Sequence, residues 1–343
     1  MLGALLCFPR TASGYLALVT FGDSYTDTWR LPSSPPQYWN GRFSNGPVWV
    51  EYLAQQLGLA YDPNNNFAVS GSETDELGIQ IGNFSGTDAG LDVVCAIWSG
   101  SNDFGAHLSL GNSDSAWNTQ INKIVTSLST ACELLYQKGA RRIVLFNQLD
   151  ITELPQIRRT YSSSFRSYLE GKINIFNSRL STEAESLRTA HDDLELILFD
   201  VHASFEAFVA NYPYYGFTTS LMDVLSDPSL TDKSFAGPGA DYVFWDGQHP
   251  STKTHGLIAD AVANLLPAPP STNPRLSIVL LNDGSVQLRL SGASGFTWRT
   301  EASSDLSSWS AISTNTLTGG SVQFSDTATR TTPLRFYRAV HLQ

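Results

Sequence analysis

The chain has 343 residues and a formal net charge of −11, with 42% hydrophobic and only 15% charged residues. Its length suits two domains or one large one, and its apolar content is enough for a well-buried core. The acidic balance argues against a nucleic-acid partner, which needs a basic face, and against docking on an anionic membrane; no apolar run approaches the ~20 residues of a membrane span. Residues 1–13 read as an N-terminal tail or signal remnant, because Met1–Phe8 is apolar but lacks a positive n-region. Residues 14–22 read as a buried strand that Gly22 breaks, with Asp23-Ser24 in the turn that follows. Residues 28–46 form a loop carrying Trp29, Tyr38, Trp39 and Phe43. Asn45-Gly46-Pro47 starts a helix in which Val48, Trp49, Tyr52, Leu53 and Leu57 recur at helical spacing, ended by Gly58.

Further along, Phe67–Val69 reads as a short strand followed by Ser70-Gly71, and Leu91–Trp98 as a strand apolar throughout, hence covered on both faces. Helices over 116–138, 164–190, 201–209 and 252–266 alternate with strands at Arg142–Phe146 and Leu194–Phe199, and 211–245 looks irregular. Five strands alternating with helices imply an α/β sandwich with a mainly parallel five-stranded sheet over residues 14–266. Function then falls at the strand C-terminal ends, where Ser24, Gly71 and Asn102 lie. The three cysteines, Cys7, Cys95 and Cys132, have no metal-ligand spacing; Cys95 and Cys132 read as buried apolar residues, with a bridge between them left open.

The Pro-rich stretch 267–274 reads as a stiff linker. Beyond it the pattern becomes short strand-like runs at Leu276–Leu281, Val286–Leu290, Phe296–Thr300, Val322–Phe324 and Leu334–Val340, set apart by turns such as Asn282-Asp283-Gly284 and Gly319-Gly320. Residues 268–343 hold six Arg and four acidic residues, leaving −13 on the first 267. Residues 275–343 therefore read as a small all-β sandwich appended to an acidic, enzyme-like domain.

Nucleophilic acyl transfer needs a hydroxyl, a base, a carboxylate to orient the base, and donors aimed at the developing oxyanion. Ser24, Gly71, Asn102, Asp246 and His249 form a candidate set, each in a loop. Taken singly, each also reads as a cap, a turn glycine or a surface residue. The Asp-x-x-His spacing lets Asp246 reach the His249 ring from one turn and set its tautomer.

Phe21-Gly22-Asp23-Ser24-Tyr25-Thr26-Asp27 resembles the first block of the GDSL, or SGNH, hydrolases, with Tyr25 in place of Leu. Gly41–Trp49, Asn66–Gly71, Gly100–Asp103 and Asp246–Pro250 resemble further blocks of that family, in family order. The resemblance implies a three-layer α/β/α, flavodoxin-like fold and ester hydrolysis through an acyl-enzyme. Carried over, Ser24 is the nucleophile, His249 the general base, and Asp246 its orienting carboxylate. The backbone of Ser24 and Gly71 and the side chain of Asn102 then form the oxyanion hole, and no metal or cofactor is implied. Related plant-type members carry cysteines near residue 215 onward; this chain has none there, so 218–245 is expected to be mobile.

Substrate contacts are expected from Asp23 and from the loop aromatics Trp39, Phe43, Phe104, Tyr214, Phe217 and Trp245, with Tyr215 and Phe235 also in reach. The expected substrate is a short- to medium-chain acyl ester, a lipid or an acetylated carbohydrate. The alternative is a carbohydrate- or surface-binding protein whose C-terminal module carries the main role, with Trp298, Trp309 and Tyr337 stacking on sugar rings rather than filling a core. Low charge and the appended module point to a secreted, bacterial protein.

Overall fold

The fold is taken from a computed structural model that describes residues 15–28, 37–87, 90–267, 274–281, 285–292, 296–318, 321–328 and 335–342. The tail at 1–13, Cys7, Trp29, most of the 267–274 linker and the turns at 282–284 and 319–320 lie outside the described residues. The described residues divide into two compact units, a larger one that runs from Leu16 to Pro267 and a smaller one that holds the strands from residue 274 onward.

In the larger unit, β1 (Ala17–Gly22), β2 (Val93–Trp98), β3 (Arg142–Phe146) and β4 (Glu195–Phe199) form one parallel sheet in that order. Apolar runs without alternation make β1, β2 and β3 almost wholly buried, as a sheet covered on both faces requires. The expected fifth strand at Phe67–Val69 does not form; a single bridge stands beside it, between Asn66 and Thr20. The segment's amides still pair with the free edge of β1, Phe67 N–H donating to Thr20 O (2.8 Å) and Val69 N–H to Gly22 O (2.9 Å). The segment lies on the side of β1 opposite β2. Chain order reverses there, so β1 ends at a switch point, and a crevice opens beyond its carboxyl end.

Two helical layers cover the sheet. In one, α1 (Trp49–Gln56) packs on α8 (Thr252–Leu265), which also meets α7 (Val201–Ala210). In the other, α4 (Asp114–Gln137) packs between α2 (Leu77–Gly82) and α6 (Ser163–Ala190). On α4 the buried residues are Trp117, Gln120, Ile121, Ile124, Leu128, Ala131, Cys132 and Leu135, a stripe along one face of the helix. The remaining helices are α3 (Ser101–Ala106) and α5 (Pro155–Thr160). Cys95 and Cys132 are both free and buried. None of the described helices is long and apolar enough to cross a membrane.

The stretch 211–245 is not wholly irregular. It contains a parallel pair, β5 (Thr219–Asp223) and β6 (Tyr242–Phe244). Polar contacts hold it in place of the absent cysteines: Tyr242 donates to Asp227 (2.8 Å), Lys233 to Leu225 O (2.7 Å) and Asn45 to Phe235 O (3.0 Å).

The smaller unit has two antiparallel three-stranded sheets. One orders β10 (Ser310–Thr316), β9 (Thr297–Ser303) and β12 (Phe336–Leu342); the other orders β11 (Ser321–Asp326), β8 (Val286–Ser291) and β7 (Arg275–Leu280). Leu290, Trp298 and Leu317 form its core. Trp298 is therefore a core residue rather than a sugar platform. Trp309 has the Arg338 guanidinium 4.2 Å over its ring, and Tyr337 donates to Asp326 (3.1 Å).

Candidate active site

The turn after β1 is shaped by Gly22, whose φ is 141°. A Cβ there would lie 2.0 Å from Trp98 O, so only glycine fits. The buried Gln80 amide reads both sides of this residue, accepting from Gly22 N–H and donating to Gly22 O, each at 2.8 Å. Asp23 O then accepts from Thr26 N–H (3.0 Å) and Asp27 N–H (2.9 Å), a helical turn that presents Ser24. Tyr25 stacks on Trp98 at 4.8 Å and donates to Gln248 O at 3.1 Å, tying the turn to the distant loop that carries His249.

Two further loops are drawn to this turn by buried carboxylates. Asp27 accepts from Ser70 N–H (2.8 Å) and Ser70 Oγ (2.7 Å), which fixes the loop carrying Gly71, itself at φ 84°. Asp103 accepts from Thr74 N–H (2.9 Å) and Thr74 Oγ1 (2.8 Å), joining that loop to the start of α3. Burial, partly opposed by those Thr74 bonds, raises the Asp103 carboxyl to about 6. Asn102 uses one amide N–H on Ser72 O (2.9 Å) and has a second to offer.

The fourth loop closes the set. Ser24 Oγ lies 2.9 Å from His249 Nε2, and His249 Nδ1 lies 2.9 and 2.8 Å from the two Asp246 oxygens. Asp246 Oδ1 also accepts from the backbone N–H of Gln248 (2.8 Å) and His249 (2.7 Å). Burial alone would raise the Asp246 carboxyl. The His249 ring, Tyr38 and the Gln248 amide more than offset this and hold it below the usual carboxylate range. Behind the pair, burial and the nearby His249 lower His255 to about 3, so it stays neutral.

Ser24, Gly71, Asn102 and His249 border one cavity of about 350 Å³. Leu108, Ile151, Leu154 and Ile157 supply apolar wall, and Glu73, Gln156 and Gln248 supply polar groups. Of the expected substrate contacts, only Asp23 lines it. Phe43 instead stacks on the His249 ring at 4.6 Å, and Trp39 lies in the same loop under the Arg42 guanidinium. Phe104 is core, packed on Trp117 and Phe176. Trp245 is fully buried and donates to Gln37 O (2.7 Å), while Phe217 is buried beside the Lys253 ammonium. Tyr214 is 85% exposed, edge-on to Tyr215, and outside the cavity. Loop aromatics were thus a poor guide to the cavity wall, which aliphatic residues after β2 and β3 provide.

The profile of GDSL-like lipases and acylhydrolases matches residues 18–262, a span that includes all four loops. The chain belongs to this GDSL family. It is 26% identical over 276 residues to the thermolabile hemolysin of Vibrio parahaemolyticus, covering 71% of this chain and 62% of that protein. It is 31% identical over 169 residues to a phosphatidylcholine-sterol acyltransferase of Aeromonas hydrophila, covering 41% of this chain and 47% of that protein. The chain thus spans about half to three-fifths of these two relatives. An acetylxylan esterase structure from Geobacillus stearothermophilus aligns over 74% of this chain and 94% of its own, at 16% identity and a TM-score of 0.42.

If Asn102 is an oxyanion donor in this GDSL site, Asn102→Ala lowers kcat by about 10²–10³ with little change in KM. Steady-state rates on p-nitrophenyl butyrate check this; a rise in KM at unchanged kcat would assign Asn102 to ground-state binding instead.

Proposed function

We propose that the chain is a serine hydrolase that cleaves carboxylic esters through an acyl-enzyme, with an apolar acyl group of short to medium length preferred. The supporting observation is the unbroken line from Ser24 Oγ through the His249 ring to Asp246, beside a cavity that Gly71 and Asn102 border. In this reading His249 Nε2 takes the Ser24 proton as Oγ bonds to the ester carbon. The oxyanion collects the N–H groups of Ser24 and Gly71 and the free N–H of Asn102. His249 then hands its proton to the departing alcohol. A water deprotonated by the same nitrogen attacks the acyl-enzyme, and the acid leaves as Ser24 regains its proton. Asp246 remains ionised throughout and stabilises the imidazolium.

The apolar wall supports the acyl preference, since each buried methylene contributes about 0.8 kcal/mol, or roughly fourfold in kcat/KM. That a relative is named a phosphatidylcholine-sterol acyltransferase agrees with an apolar acyl group. A fluorophosphonate is expected to label the protein once, at Ser24, as read by peptide mass spectrometry. p-Nitrophenyl esters are expected to improve from acetate through hexanoate. Labelling elsewhere would remove the nucleophile assignment, and a maximum at acetate would remove the acyl preference.

A further inference from the structure

The loop at 37–44 touches the Asp246–His249 pair at two points. Tyr38 Oη donates to Asp246 Oδ2 at 2.6 Å, and the Phe43 ring lies on the imidazole, tilted by 23°. The carboxylate is unevenly held. Oδ1 has two backbone donors, whereas Oδ2 has Tyr38 as its donor apart from the His249 ring itself, among the contacts described. Without Tyr38 that oxygen would keep, among the contacts described, only the His249 ring, and the carboxylate would be held less firmly in its plane.

The contact is built in from several sides. Trp245 donates to Gln37 O just as the next residue along each segment, Tyr38 and Asp246, pairs in return, both at a separation of 208 residues. The loop closes on itself through Trp39 N–H to Ser44 O at 3.0 Å, with Asn40 at φ 45° and Gly41 at φ 84° making the reversal. Arg42 pairs with Glu51 on α1 (2.6 Å) and Ser44 donates to Pro250 O (3.0 Å), so both flanks are anchored. Burial and the neighbouring carboxylate raise the Tyr38 phenol, which stays a donor across the working range.

We propose that Tyr38 is a positioning residue for the acid–base pair: its hydroxyl holds Asp246 against His249 Nδ1 and tempers how strongly the carboxylate favours the imidazolium. The inference rests on the acyl-transfer reading above. Removing the donor leaves more negative charge facing the ring, so the histidine binds its proton more tightly. Among the described residues, the other titratable groups near the pair are Asp23, Tyr25, His255, Asp223 with its partner Arg159, and Glu73, which lines the same cavity as His249, and Tyr38→Phe leaves all of them in place.

The test uses the full chain and p-nitrophenyl butyrate. In Y38F, kcat is expected to fall about tenfold with KM within twofold, and the acid limb of the kcat/KM profile to move to higher pH. An unchanged kcat and acid limb would overturn the proposal, as would a rise in KM alone, which would make Tyr38 a substrate contact. Ser24→Ala separates the two claims. If it retains activity, the acyl-transfer reading fails. If it is inactive while Y38F matches the wild type, only the positioning role fails. Should Y38F fold poorly, the wild type and Asp246→Ala answer instead. A downfield Tyr38 hydroxyl proton in the wild-type NMR spectrum is expected to disappear or shift in D246A, and its indifference to that change would overturn the proposal.

Discussion

Ser24→Ala is expected to lower kcat on p-nitrophenyl butyrate by about 10⁶-fold, the scale seen when a nucleophile that acts as a unit with its base is removed. The side chain is almost buried, and the bond described for its hydroxyl is the one to His249. The substitution therefore removes one oxygen atom and little packing, and stability should stay within about 0.5–1 kcal/mol of the wild type in denaturant titrations. Residual turnover of about 10³ over water would come from the oxyanion donors and from binding, which the variant keeps. Turnover within tenfold of the wild type in the alanine variant would mean that His249 activates water directly, and the acyl-enzyme would have to be abandoned.

The second large effect concerns Asp23, which sits beneath the nucleophile. It is 1% exposed; Oδ1 accepts from Tyr25 N–H at 3.0 Å, and Oδ2 has no partner. Burial raises its carboxyl from 3.8 to about 7, with the Tyr25 amide and His249 opposing and Asp103 and Asp27 adding to the rise. Between these two values the folded chain holds a proton that the unfolded chain has released. The stability contributed by this group is then greatest below about pH 4 and is lost as pH climbs to about 7. At about 1.4 kcal/mol per pH unit, the whole span is worth on the order of 4 kcal/mol. Asp23→Asn, which cannot ionise, should lack this slope. The wild-type minus variant unfolding free energy, measured by urea titration from pH 4 to 8, is expected to decline up to about pH 7 and then level off. A difference that is flat across that range would show that Asp23 ionises normally despite its burial.

Much of the α/β unit was legible because parallel strands covered on both faces leave continuous apolar runs, as at Val93–Trp98 and Arg142–Phe146, and because long helices such as α4 carry a regular stripe. The edge segment at Phe67–Val69 was harder to classify. It pairs with β1 through two amides and then turns away toward Gly71, so a strand-like sequence yields only the bridge beside it, at Asn66. Strand β10 was missed for a different reason: Ser310–Thr316 is largely polar and half exposed, and its pairing with β9 carries it rather than any apolar face of its own. In the site, spacing pointed to loops, and the loops do converge. What spacing could not supply was depth. Phe104, Phe217 and Trp245 look like loop aromatics in one dimension, yet each is buried once the helices pack. Leu108, Ile151, Leu154 and Ile157 look like ordinary core residues, yet they face the cavity. Tyr38 could have been singled out only by knowing which residue lies opposite it 208 positions later.

That long reach has a bearing on when the protein becomes able to act. Ser24 and His249 are 225 residues apart, and the clip that aligns Asp246 draws on both ends of the α/β unit. β1 through β4 can pair before α8 exists, since each strand has its neighbours already made, and domains fold as their chain emerges. A nascent chain can therefore carry a folded sheet and an exposed serine turn while lacking any base to activate the hydroxyl. On the acyl-transfer reading proposed above, reactivity arrives only with the late loop that carries Asp246 and His249.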